Sequence, residues 1–91
     1  MGNNQEGQSL EKLRSRIDDL DSELLKLLND RAKCVIEIGK IKKKEKKAVF
    51  VPLREKELLG RLSKLNKGPM SDAMVKYLFQ QIIDTLKDLQ K

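Results

Sequence analysis

From Leu10 onward, apolar residues recur at alternating spacings of three and four: Leu10, Leu13, Ile17, Leu20, Leu24 and Leu27. The series breaks at position 31 and resumes at Cys34, Ile38 and Ile41. This spacing predicts one long amphipathic helix, starting from an N-cap at Ser9 and ending near Lys44–Lys46. The segment before it, MGNNQEGQ, is polar and aperiodic, so residues 1–8 are expected to be disordered and residues 9–91 to form one helical domain. Residues 45–51 lose the helical period, and Pro52 suits the first turn of a second helix. That helix carries Glu55, Leu58, Leu62 and Leu65 on one face and stops at Asn66-Lys67-Gly68-Pro69. A third starts at an N-cap near Ser71 and lines up Val75, Leu78, Phe79, Ile82, Ile83, Leu86 and Leu89. Only Ala48–Val51 reads as strand-like, and it is too short to make a sheet. The pattern predicts an all-α fold of three helices, one long and two shorter.

Length bears on assembly. A helix over residues 10–45 would span about 54 Å at 1.5 Å per residue. A compact globule of 91 residues has a radius of gyration of roughly 12 Å. Two shorter helices cannot cover the long stripe from end to end. A second copy of the chain, in an intertwined homodimer, is the expected cover.

Position 31 breaks the stripe with an arginine. An unpaired guanidinium taken out of water costs several kcal/mol, so this seam position requires a carboxylate partner or an anionic guest. Lys42 lies eleven residues on, about 20° round an ideal helix and about 16 Å along it, on the same side. Arg14 is about 25 Å away on the same helix and could meet Arg31 only from an antiparallel partner chain. Glu55 occupies the seam of the second helix with Arg54 beside it, and Gln90 continues the apolar face of the third. Arg31 with Glu55 as a buried ion pair is the plain structural alternative. Three cations, one carboxylate and one amide carry too much positive charge to neutralise one another, which favours a dianionic guest.

Composition narrows the chemistry. The chain has no histidine, which removes the usual general base, the commonest zinc ligand and every histidine-dependent triad. A reaction needing little proton transfer, and no metal or other cofactor, fits best. The formal net charge of +6 points to an acidic partner. No apolar run approaches a membrane span or a signal-peptide core. The lone Cys34 cannot close an internal disulfide, so a cytoplasmic protein is expected, with Cys34 filling the core.

Several segments resemble the all-helical, AroQ-type chorismate mutases. They are L-R-x-x-I-D-x-L-D at Leu13–Asp21, L-L-N-D-R at Leu27–Arg31, I-G-K-I-K at Ile38–Lys42, V-P-x-R-E at Val51–Glu55 and L-F-Q-x-I-I at Leu78–Ile83. The resemblance covers Leu10 to Gln90. It implies an intertwined dimer that rearranges chorismate to prephenate, on the shikimate route to phenylalanine and tyrosine. The reaction is intramolecular and pericyclic and needs no nucleophile, metal or base. By resemblance, Arg31 and the Arg14 of a partner chain grip the two substrate carboxylates. Lys42 and Gln90 donate to the ether oxygen, where negative charge develops. Glu55 accepts the ring hydroxyl, helped by a backbone N–H near Val51, and Arg54 supports the anion field. Ile38 and Ile83 form the apolar wall. Gly39 either eases a close helix approach or makes a simple packing contact. The chain departs from the family in having Leu86 where many members carry a serine, and Val51 where many carry an acid.

Two other readings compete. Lys40–Lys47 holds six lysines, which fits a basic helical dimer that binds nucleic acid. The run has no interleaved aromatics and no recognised motif, so nucleic acid is not the expected partner; nor is a membrane. The second alternative keeps the fold but makes it an isochorismate-pyruvate lyase, whose dianionic substrate would suit the same cations.

Overall fold

The computed structural model describes residues 2–46 and 52–90. Helix α1 spans Gly2–Glu45, α2 Pro52–Leu65 and α3 Asp72–Lys87, followed by a 3-10 turn at Asp88–Gln90. The described residues contain no strand, and the fold is all-α as expected. The strand-like run Ala48–Val51 lies outside the described residues. The chain divides into two compact units, Met1–Arg31 and Ala32–Lys91.

The first unit is helix alone. Its apolar stripe forms as the periodicity requires, but no element of the same unit covers it. Leu10, Leu13, Ile17, Leu20, Leu24 and Leu27 are each about half exposed or more. Burying one such side chain is worth roughly 1.5–3 kcal/mol, so this unit carries a sizeable apolar stripe at its surface. Ser22 Oγ and Asn29 Nδ2 donate back to the carbonyls of Asp18 and Leu25, both at 3.0 Å, and so spend their polarity locally. Ser9 does not cap the helix, because α1 already runs through it from Gly2.

The second unit holds the end of α1, α2, α3 and the 3-10 turn. Its core is small and aliphatic. Val35, Val75 and Ile83 are buried, and Leu58, Leu62, Phe79, Ile82 and Leu86 are half-buried around them. Along α1 the inward positions here are Ala32, Val35, Gly39 and Lys42. The expected series of Cys34, Ile38 and Ile41 is offset from them and faces outward. Cys34 is exposed, and Ile38 and Ile41 are 44% and 54% exposed. Cys34 therefore does not fill the core of the chain. Small Gly39 on the inner face decides the register, because it admits another backbone where Ile38 could not.

The connection from α2 to α3 is built as its residues demand. Gly68 adopts a left-handed φ of 77°, accessible to glycine at little cost. Its N–H donates to Asn66 Oδ1 at 3.1 Å. Asn66 Nδ2 in turn donates to the Met70 carbonyl at 2.7 Å and to Asp72 Oδ1 at 3.2 Å. Ser71 caps α3 by accepting the Met74 N–H at 3.2 Å. No described helix is long and apolar enough to cross a membrane.

Candidate active site

Lys42, Lys43 and Lys44 form the last turn of α1, where positive charge complements the helix dipole. Of the three, only Lys42 is half-buried. Its ammonium donates to Gln90 Oε1 at 3.4 Å, across 48 residues of sequence. A lysine ammonium has donors and no acceptor, so the contact fixes the amide with its oxygen toward Lys42 and its NH2 away. The sequence placed Gln90 on a continued α-helix. The helix ends at Lys87 instead, and a 3-10 turn delivers Gln90. Beneath this pair lies Gly39. A Cβ there would stand 2.7 Å from both Gln90 Cα and its carbonyl oxygen.

Glu55 occupies the first turn of α2, a position favoured for a carboxylate by the helix dipole. Both its oxygens are engaged. Oε2 pairs with Lys87 Nζ at 3.0 Å, and Oε1 accepts from Gln80 Nε2 at 3.2 Å. Within the second unit the cation that pairs with Glu55 is thus Lys87, which the seam positions did not suggest. Gln80 Nε2 also donates to Asp84 Oδ1 at 2.9 Å, and Lys87 Nζ lies 3.6 Å from Asp84 Oδ1. Its hydrogen bond to Glu55 holds the Lys87 ammonium above the ordinary lysine range, against an opposing effect of burial and with added attraction from Glu55 and Asp84. A carboxylate offers about four lone-pair sites, so Glu55 retains capacity for one more donor.

Sequence reasoning missed Gln80 and Lys87. Their signal is a polar row, Gln80, Asp84 and Lys87, at spacings of four and three along one side of α3. It runs beside the apolar face and resembles any solvated helix edge.

The remaining candidates fall in different settings. Ile83 is buried in the core of the second unit, whereas Ile38 is 44% exposed. Arg54 is exposed at the start of α2. In the first unit Arg14 is exposed and Arg31 half-buried. Val51 lies outside the described residues.

A family model described as "Chorismate mutase type II" matches residues 13–91. The chain is 36% identical over 88 residues to a bifunctional chorismate mutase/prephenate dehydratase of Aquifex aeolicus, covering 92% of this chain and 24% of that protein. It spans about a quarter of the length of the curated relatives it matches first. Among solved structures it is similar to form II of chorismate mutase from Thermus thermophilus, with a TM-score of 0.88 at 33% identity, covering 89% of this chain and 92% of that one. It is also similar to chorismate mutase from Helicobacter pylori in complex with prephenate, with a TM-score of 0.81 at 31% identity and coverage of 89% and 88%.

Proposed function

This chain belongs to the type II chorismate mutase family, and we propose that it rearranges chorismate to prephenate, as a homodimer whose two sites each draw on both chains. The observation that carries this reading is the pairing of Lys42 with Gln90 at 3.4 Å. In the rearrangement a C–O ether bond breaks as a C–C bond forms within one molecule, and no proton changes place. Negative charge accumulates on the ether oxygen in the transition state. The ammonium grips the amide oxygen and leaves the amide NH2 turned away from it as a second donor; together they stabilise that charge more than they stabilise the ground state, which is what accelerates the step. No histidine is needed, and the chain has none.

The other roles follow from the chemistry of the substrate. Arg31, with Arg14 of a partner copy, pairs with its two carboxylates and restricts the flexible side chain to the compact conformer that reacts. Glu55, held by Lys87 and Gln80, accepts the ring hydroxyl. A backbone N–H near Val51 assists, Arg54 strengthens the positive field, and Ile38 with Ile83 supplies apolar walls. The half-exposed stripe from Leu10 to Leu27 supports the dimer. A cytoplasmic setting, where the single thiol of Cys34 stays reduced, suits the same reading.

The test is direct. The purified chain is mixed with chorismate, its loss is followed, and the product is identified. Prephenate formation is the expected result. An unchanged chorismate pool overturns the reading, and so does release of salicylate and pyruvate from isochorismate with chorismate left intact.

A further inference from the structure

We propose that Gly39 is a positioning residue: the missing side chain at this point of α1 seats the 3-10 turn Asp88–Gln90 and thereby sets the distance from Gln90 to Lys42. The inference rests on the reading of Lys42 and Gln90 as paired donors and assigns the device that holds them together.

Glycine is the poorest helix former after proline, yet Gly39 and Gly60 both lie inside helices. Their surroundings differ. A Cβ added at Gly60 meets nothing within 4 Å. A Cβ added at Gly39 stands 2.7 Å from Gln90 Cα, 2.7 Å from Gln90 O and 3.1 Å from Gln90 C. All three atoms are backbone, so no rotamer change relieves the contact. Carbon atoms rest at about 3.5–4.0 Å from one another, so even alanine would push the turn outward by roughly an ångström.

That shift falls where it matters. Lys42 follows Gly39 by one turn on the same inward face of α1, and its Nζ reaches Gln90 Oε1 at 3.4 Å. This is already at the long end of hydrogen-bond geometry. Moving the turn outward breaks the contact and lets the amide rotate, so the two donors no longer converge on one oxygen. Gly39 itself touches no substrate. It acts through the place of Gln90.

The experiment compares full-length wild type, Gly39→Ala, Gly60→Ala, Gln90→Ala and the Gly39→Ala/Gln90→Ala double variant. Helical circular dichroism and melting are measured first, then kcat and KM with chorismate. Gly39→Ala is expected to lower kcat roughly 10- to 10²-fold, with a smaller change in KM. In the Gln90→Ala background the same substitution should change kcat less than about two-fold, since there is no amide left to misplace. Gly60→Ala should melt higher and keep the wild-type kcat. Equal losses in both backgrounds, or a kcat for Gly39→Ala within about two-fold of wild type, overturn the proposal. If Gly39→Ala folds poorly, the substitution is repeated in the Gly60→Ala chain, where the added helix propensity offsets the loss. Amide hydrogen exchange at Asp88–Gln90 supplies a readout independent of turnover. Faster exchange in Gly39→Ala but not Gly60→Ala is expected, and unchanged exchange overturns the seating role. A wild-type chain that leaves chorismate untouched while exchange responds to Gly39→Ala defeats the mutase reading and leaves the seating role standing.

Discussion

Lys87, in the last turn of α3, closes a 3.0 Å ion pair onto Glu55 in the first turn of α2. The pair ties the two helices together beside the core and holds in place the carboxylate assigned to the substrate hydroxyl. Glu55 is further steadied by Gln80 at 3.2 Å. In the proposed mechanism a structural clamp and a substrate-binding carboxylate share one residue, and substituting Lys87 tests both.

The clamp has a definite pH signature. The Lys87 pKa is raised above its ordinary 10.5 in the folded chain, so the folded state binds that proton more tightly than the unfolded one. The stabilisation is whole below the ordinary value and is lost as pH rises through the raised one. Lys87→Met should therefore melt below wild type at pH 7 to 9, with the gap closing as pH is taken above about 10.5. Melting curves of both chains across that range measure it. A gap that stays constant with pH would mean that the pair contributes nothing through charge.

Lys42 should matter far more to catalysis than its neighbours do. Removing a donor to a developing oxyanion costs roughly 10²–10³ in kcat, and Lys42→Ala is expected to fall in that range. Gln90→Ala should also lower kcat. Lys44→Ala should leave it close to wild type, because Lys44 is exposed on the same last turn. Equal losses at Lys42 and Lys44 would point to general positive charge instead of a site. With no histidine in the chain, kcat/KM should also stay nearly flat from about pH 6 to 8.

The turn after α2 offers a stability test away from the site. Asn66 accepts from Gly68 N–H and donates to the Met70 carbonyl and to Asp72 Oδ1. These contacts bracket the left-handed Gly68 and the Ser71 cap. Asn66→Ala leaves the Met70 carbonyl without this donor and should cost about 1–3 kcal/mol. Urea denaturation gives the value, and a midpoint equal to wild type would show that the turn forms without its side-chain bridge.

Much of this architecture was legible because it is periodic. Apolar spacing of three and four located all three helices, and Pro52, Asn66-Lys67-Gly68-Pro69 and Ser71 marked where helices start or stop. Periodicity gives a stripe but not its partner. Over residues 34–41 it pointed to Cys34, Ile38 and Ile41, whereas the chain buries Val35 and Gly39. The choice depends on what packs opposite, and a glycine carries no hydropathy signal for a close backbone. Lys42, Gln90 and Glu55 were conspicuous as polar residues on an apolar face. Lys87 and Gln80 were not, since on a helix edge their roles depend on Glu55, which is 25 or more residues away in sequence.

The last prediction concerns the shared site. The first unit presents Leu10, Leu13, Ile17, Leu20, Leu24 and Leu27 about half exposed or more, and Arg14 lies among them in sequence. If a second copy covers this stripe, its Arg14 enters a site that contains Arg31 of the first chain. Arg14→Ala and Arg31→Ala should each abolish most turnover in their own homodimers, since every site then lacks one carboxylate anchor. Mixed after partial unfolding and refolding, the two variants form heterodimers in which one site carries both lesions and the other carries neither. Activity should return to about half the wild-type value per heterodimer, and therefore to about a quarter in a random mixture. Ile17→Asp supplies the assembly control: a charge on the stripe should shift the chain from dimer to monomer in sedimentation and remove turnover with it. If exchange is confirmed by mass-tagged chains and no activity returns, Arg14 and Arg31 do not meet across the interface, and each site belongs to a single chain.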